Sequence, residues 1–180
     1  MLRKILIPLT LLLAACSQAQ NQPVQKASPV ICVFESEQID TCHFEDGGDE
    51  ISATLTTHLS DDDELHISAI NISRGKRRQT LTLSPDALLL PGDRGYISFE
   101  DINFDNHADI AVTTSLGAAN LYLDYWVYSE EQKRYVKVGN YPVFKLQPDT
   151  QTLTTEVRLN AAQYDRKAYQ WRGLELVVVE

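Results

Sequence analysis

Leu121-Tyr122-Leu123-Asp124-Tyr125-Trp126-Val127-Tyr128 reads as a β-strand, and the character of its two faces decides what surrounds it. On a backbone of period two, Leu121, Leu123, Tyr125 and Val127 share one side, and Tyr122, Asp124, Trp126 and Tyr128 the other. One face is apolar and the other largely aromatic, so both should pack. Trp126 and Tyr128 are read as core or cross-strand filler, with ligand stacking as the alternative. Outward from this strand, β-rich segments recur at 51–59, 65–72, 80–83, 96–99, 110–114, 135–138, 152–159, 169–171 and 174–179. Turn chemistry separates them: Ser60-Asp61-Asp62-Asp63, Arg74-Gly75, Glu130-Glu131-Gln132-Lys133, Pro148-Asp149 and Arg172-Gly173. No long amphipathic helix interrupts the series. The expected fold is all-β, an antiparallel meander that curls into a sandwich, a barrel or a small propeller-like domain; no sequence repeat of propeller length chooses among them.

Upstream of that strand, just before the 110–114 segment, lies Asp101-Ile102-Asn103-Phe104-Asp105-Asn106-His107-Ala108-Asp109. Oxygen-bearing side chains at relative positions 1, 3, 5 and 9 of a tight loop can converge on one hard cation, and the backbone carbonyl of position 7, His107, can add another ligand. The expected metal is Ca2+, which takes six to eight oxygens in tolerant geometry. Phe104 and Ile110 should point into apolar packing. Asn106 and Val112 stand where a helix-flanked calcium hand has glycine and a bidentate glutamate, so that motif is not present. Asn is the next best residue for a left-handed turn. With strands on both sides, residues 101–109 should be a hairpin connection; the alternative is an acidic turn with no metal.

Arg3 and Lys4 precede an apolar run, 5–13, that ends Leu13-Ala14-Ala15-Cys16, the order of a secretory signal. The run is too short to span a bilayer. Leu-Ala-Ala-Cys resembles a bacterial lipobox, which implies a signal peptide over 1–15 and lipidation of Cys16, with more than one acyl chain needed for durable attachment. Ser17 after the cysteine implies sorting to the outer membrane, facing the periplasm, under the same resemblance. Residues 16–29, rich in Gln, Asn, Ala and Pro, are expected to be a flexible tether reaching roughly 20 Å, with a single β domain over 30–180.

The chain carries 16 basic and 25 acidic side chains, a formal charge of −9, and loss of Arg3 and Lys4 with the leader would make it two units more negative. That disfavours nucleic acid and favours a basic partner met by salt-sensitive steering. The cluster Arg74, Lys76, Arg77, Arg78 is too short to reverse this and falls at a hairpin tip around Gly75. With Cys16 lipidated, Cys32 and Cys42 are an even pair in an oxidising setting and should form a disulfide closing a small hairpin, contributing about 2 to 3 kcal/mol. His58 and His66 flank the acidic turn and could face each other, but two histidines make a poor metal site. The sequence has no GxSxG elbow, no unpaired thiol beyond the lipidated one and no phosphate-cradling glycine loop, so the expectation is a protein that is not an enzyme.

Taken together, residues 96–105, 109–113, Gly117-Ala118-Ala119-Asn120-Leu121-Tyr122 and 124–128 resemble a family of bacterial periplasmic lipoproteins. It includes immunity proteins that shield a cell from the peptidoglycan hydrolase delivered by a bacterial-killing type IV secretion system. The likeness spans about residues 96 to 179. It implies a calcium-binding, propeller-like β fold similar to the type-i periplasmic lysozyme inhibitors, with metal roles for Asp101, Asn103, Asp105 and Asp109. The family's usual glycine at the sixth loop position is Asn106 here. The implied function is a lipid-anchored inhibitor or immunity protein against a basic, lysozyme-type peptidoglycan hydrolase. A calcium-dependent envelope module binding glycan or protein without inhibition is the alternative. A plug for a hydrolase cleft needs a narrow protrusion with hydrogen-bonding groups, and the stretch around Ser115, Leu116, Gly117 and Ala118 has that character. Ser115 could bond a catalytic carboxyl, Leu116 fill a sugar subsite, and Gly117 with Ala118 let the backbone approach closely.

Overall fold

The computed structural model describes residues 29–35, 41–117 and 120–179. The expected leader, the expected lipidation site Cys16, the expected tether up to residue 28, and Ala118 and Ala119 lie outside the described residues. The fold is all-β, as the periodicity indicates, and its strands form three antiparallel sheets with no closed barrel. The central sheet runs β1 (Val30–Phe34), β7 (Gly95–Glu100), β8 (Asp109–Leu116), β9 (Leu121–Ser129), β10 (Arg134–Pro142). One outer sheet runs β2 (Cys42–Asp46), β3 (Asp49–Leu59), β4 (Leu65–Arg74), β5 (Arg77–Thr82), with the short β6 (Leu88–Leu89) also on β4. The other runs β11 (Lys145–Gln147), β12 (Thr152–Arg158), β13 (Tyr164–Arg172), β14 (Glu175–Val178).

The layering follows from β9. Trp126 and Tyr128 project into one core with Ile51, Ile70, Ile72 and Leu81 of the first outer sheet. Leu123, Tyr125 and Val127 project into a second core with Leu153 and Tyr169 of the other. Bulk on both faces therefore makes β9 a strand of the middle layer. Each fully buried apolar side chain there contributes about 1.5 to 3 kcal/mol. Asp124, the polar residue on the aromatic face, is completely buried. It accepts bonds from Ser84 N at 2.5 Å, Ser84 Oγ at 2.6 Å, Lys137 Nζ at 3.0 Å and Asn140 Nδ2 at 3.0 Å, which hold the segment leaving β5 against the middle sheet.

Cys32 and Cys42 are joined, with their Cα atoms 5.9 Å apart, but the expected hairpin between them does not form. β1 pairs with β7 and β2 with β3, so the disulfide links two sheets. The reason is burial. Val30, Cys32 and Phe34 alternate inward while Ile31 and Val33 stay exposed, and the inward row is placed by the core between the layers. Gly95 lies opposite Phe34 in that pairing, where a Cβ would come within 2.5 Å of the Phe34 ring. The anticipated turns at 60–63, 74–75, 130–133 and 172–173 all connect neighbouring antiparallel strands. His58 and His66 are directly opposed in register, and His66 stands 3.6 Å from Glu64.

Candidate functional site

Residues 101–109 join β7 to β8, as expected, and the loop is curled by its own side chains. Asp101 accepts through Oδ1 from Asp105 N at 3.0 Å and through Oδ2 from Asn106 N at 3.0 Å. Asn103 Oδ1 also accepts from Asp105 N at 3.1 Å, and Asp105 Oδ1 accepts from His107 N at 2.9 Å. Positive φ at Phe104 (64°) and Asn106 (67°) lets successive amides turn inward; Asn tolerates that region, whereas at Phe104 it is a strained conformation held in place by packing. Phe104 lies against the second core and Ile110 in the first.

Asp109 has a different position from the other three oxygen-bearing residues. It is 1% exposed, and its Oδ2 accepts from Ile102 N at 2.9 Å and Asn103 N at 3.2 Å, while Oδ1 accepts from Tyr128 N at 2.8 Å. Burial pushes its carboxyl well above the ordinary range, against the lowering effect of these N–H donors. It is a keystone beneath the loop, tying both its ends to β9. Asp101, Asn103 and Asp105 remain at the rim, and Asn103 Nδ2 donates to Asp105 Oδ2 at 2.8 Å. Among the described residues, no group of three or more His, Cys, Asp or Glu side chains is gathered to hold a metal. What the loop offers is two rim carboxylates and an amide oxygen. Each of these oxygens has a second lone pair beyond its N–H bond, and the donor set is hard, the kind calcium takes with backbone and water completing its shell.

The His107 side chain turns away from the loop, edge-on to Tyr128 with centroids 5.4 Å apart, between Glu130 at 3.6 Å and Asp46 at 4.0 Å. Asp46 Oδ2 accepts from Ala108 N at 3.1 Å and from Arg74 at 2.7 Å, so the loop is also fastened to the first outer sheet. This network was not anticipated. One signal for it exists: Ile70, Ile72 and Arg74 lie on the same face of β4, so Arg74 continues an inward row and is buried where its cluster mates are not.

The second candidate region is at the other end of β8. Ser115 and Leu116 are strand residues, opposite Tyr122 and Leu121, and beyond them Gly117 N donates to Asn120 O at 2.9 Å. Leu116 packs partly against the first core. Asn120 is bonded twice to β12: its Oδ1 accepts from Arg158 N at 2.8 Å and its Nδ2 donates to Arg158 O at 3.1 Å. The two regions are therefore separated by the length of β8, roughly 25 Å at strand rise. Calcium bound at 101–109 would brace the start of that strand and not the base of the second region. Among the described residues no hydroxyl or thiol lies within hydrogen-bond reach of a histidine side chain. Comparison with protein families, with curated proteins and with solved structures returned no match to this chain.

Proposed function

We propose that this protein is a lipid-anchored inhibitor or immunity protein of the bacterial envelope, directed at a basic, lysozyme-type peptidoglycan hydrolase, with calcium bracing the loop at 101–109. The observation that carries the reading is the anchoring on either side of the small residues after β8: Gly117 N donates to Asn120 O, and both side-chain polar atoms of Asn120 bond Arg158. Flanking residues already held in place lose little conformational entropy when the segment between them enters a cleft. Ser115 and Gly117 would supply its polar and close-approach character. An acidic chain would steer a basic enzyme toward it. Asp101, Asn103 and Asp105 would hold the ion, with the His107 carbonyl as a further ligand and Asp109 supporting the loop from below. The ion would supply rigidity and no chemistry.

The test is clearing of a peptidoglycan suspension by a panel of lytic enzymes spanning lysozyme classes, with calcium present. The protein is expected to slow at least one, and Ser115→Trp to remove the effect with the thermal midpoint retained. No inhibition of any enzyme in the panel would contradict the proposal, and capture of a glycan or a non-hydrolase partner instead would favour an envelope-binding module.

A further inference from the structure

A cavity of about 490 Å³ opens between the β4–β5 hairpin and the β9–β10 hairpin, and its wall concentrates positive charge in an acidic protein. Arg74, Arg77, Arg78, Lys133 and Arg134 line it, five of the chain's 16 basic residues, and no carboxylate does. From this arrangement we infer that the cleft binds a compact ligand carrying two or more phosphate-type negative charges. The inference stands independently of the inhibitor reading, since it concerns a different surface.

Three features argue for a built site. Arg74 forms its buried floor, with 5% of its side chain exposed. It is held by Asp46 at 2.7 Å and Asp49 at 3.2 Å, with its guanidinium 4.1 Å from the Tyr128 ring centre and Nη1 3.5 Å from the Tyr135 hydroxyl. The two walls are also tied at fixed width: Gln79 Nε2 donates to Tyr135 O at 2.8 Å, and Gln79 Oε1 accepts from Tyr135 N at 2.9 Å, joining β5 to β10. Finally, Arg77, Arg78 and Arg134 form no ion pair with any described residue, although acids outnumber bases in the chain; Lys133 is paired with Glu130.

Three guanidiniums with no ion-pair partner among the described residues surround one cavity and leave charge for a ligand to neutralise. Guanidinium forks bond phosphate and carboxylate oxygens in pairs. A carboxylate supplies one negative charge, whereas a phosphate monoester supplies about 1.5 to 2, so a ligand small enough for this cleft balances it best with phosphates. A long polyanion such as nucleic acid would extend beyond the cleft over a chain whose formal charge is −9, and like charges repel within about 8 Å at physiological salt. The cavity volume lies within the range of small-molecule sites.

The experiment is calorimetric titration of the full-length chain in detergent and calcium-free buffer with tripolyphosphate. In parallel, co-sedimentation is run with phosphatidylcholine vesicles with and without phosphatidic acid. Saturable tripolyphosphate binding is expected, weakened at least about tenfold in the triple variant Arg77→Gln, Arg78→Gln, Arg134→Gln and unchanged in Arg94→Gln, which lies outside the cleft. Anchor-driven sedimentation is common to both vesicle types, so only the increment due to phosphatidic acid counts. An increment lost in the triple variant identifies a lipid headgroup as the source, and tripolyphosphate binding without it identifies a soluble phosphate. Absence of both, equal affinity in the triple variant, or tighter binding of citrate than of tripolyphosphate would overturn the inference. A circular-dichroism melt of each variant separates lost binding from lost fold, and Arg77→Gln alone, at an exposed position, gives a second reading if the triple variant unfolds.

Discussion

Asp109 shows how one side chain can serve a loop without lying at its surface. Its carboxylate is the acceptor for three backbone N–H groups, from Ile102, Asn103 and Tyr128. Asp109→Ala leaves those donors without partners in a buried place and is expected to destabilise the protein by about 3 kcal/mol in urea unfolding, with Asp109→Asn intermediate because one oxygen remains. Gly95 is constrained for a different reason, because the Phe34 ring occupies the space a Cβ would need. Gly95→Ala should cost about 1 to 3 kcal/mol by the same measurement, and a neutral result would mean that β1 does not lie against β7 as described. At this scale the sequence was informative about types and poor about directions. Spacing identified the oxygens at 101, 103, 105 and 109 as a set, but that the fourth is turned under the loop depends on a partner in β9, nineteen residues away. The same holds for Arg74, which was read as part of a hairpin tip although it continues the inward row of Ile70 and Ile72, and whose acidic partners in β2 and at the start of β3 lie far off in sequence.

Among the elements, the long strands were legible because alternation extended over enough residues to fix them: β3, β4, β8, β9 and β12 fall on segments where β-branched and aromatic residues recur. The short β6 and β11 carry too few residues for a period and are ordered by their neighbours, β4 and β12. The hairpin assumed for Cys32 and Cys42 failed for a similar reason. A cysteine pair close in sequence says that two atoms meet, while the partner of each strand is chosen by the inward row it adds to a core. The disulfide is consequently a tie between layers. Cys32→Ser with Cys42→Ser is expected to lower stability by about 2 to 3 kcal/mol and to do so more by loosening β1 from the outer sheet than by altering the loop. Amide exchange that rose along β1 and left residues 101–109 unchanged would be the matching signature; exchange rising first in the loop would oppose it.

At the scale of the whole molecule, the middle sheet is sandwiched, and its aromatic side chains join the layers. Burial raises the Tyr135 hydroxyl to about 12 from its ordinary 10.0, with the Arg74 contact opposing, and raises Tyr125 and Tyr96 as well. A folded-state value above the unfolded one gives stability that is complete below about pH 10 and is lost as pH climbs through the folded value, because the unfolded chain releases its protons first. Unfolding free energy should therefore fall between about pH 10 and pH 12; Tyr135→Phe should flatten that fall, and an unchanged slope would contradict the assignment. Two features of opposite charge emerge from this layered body, an acidic loop at one end of β8 and a basic cleft between two hairpins. Both are fastened to the Asp46–Arg74 pair, which touches Ala108 on one side and the cleft floor on the other.

The proposed role of calcium at residues 101–109 is to brace the middle sheet. It is tested most directly by thermal unfolding of the metal-stripped protein with and without calcium, beside Asp105→Ala. The account predicts a rise in melting temperature that grows with calcium up to the millimolar range, is larger than that given by magnesium, and is absent in Asp105→Ala. A midpoint unmoved by calcium, or one that rises equally in the variant, would contradict it.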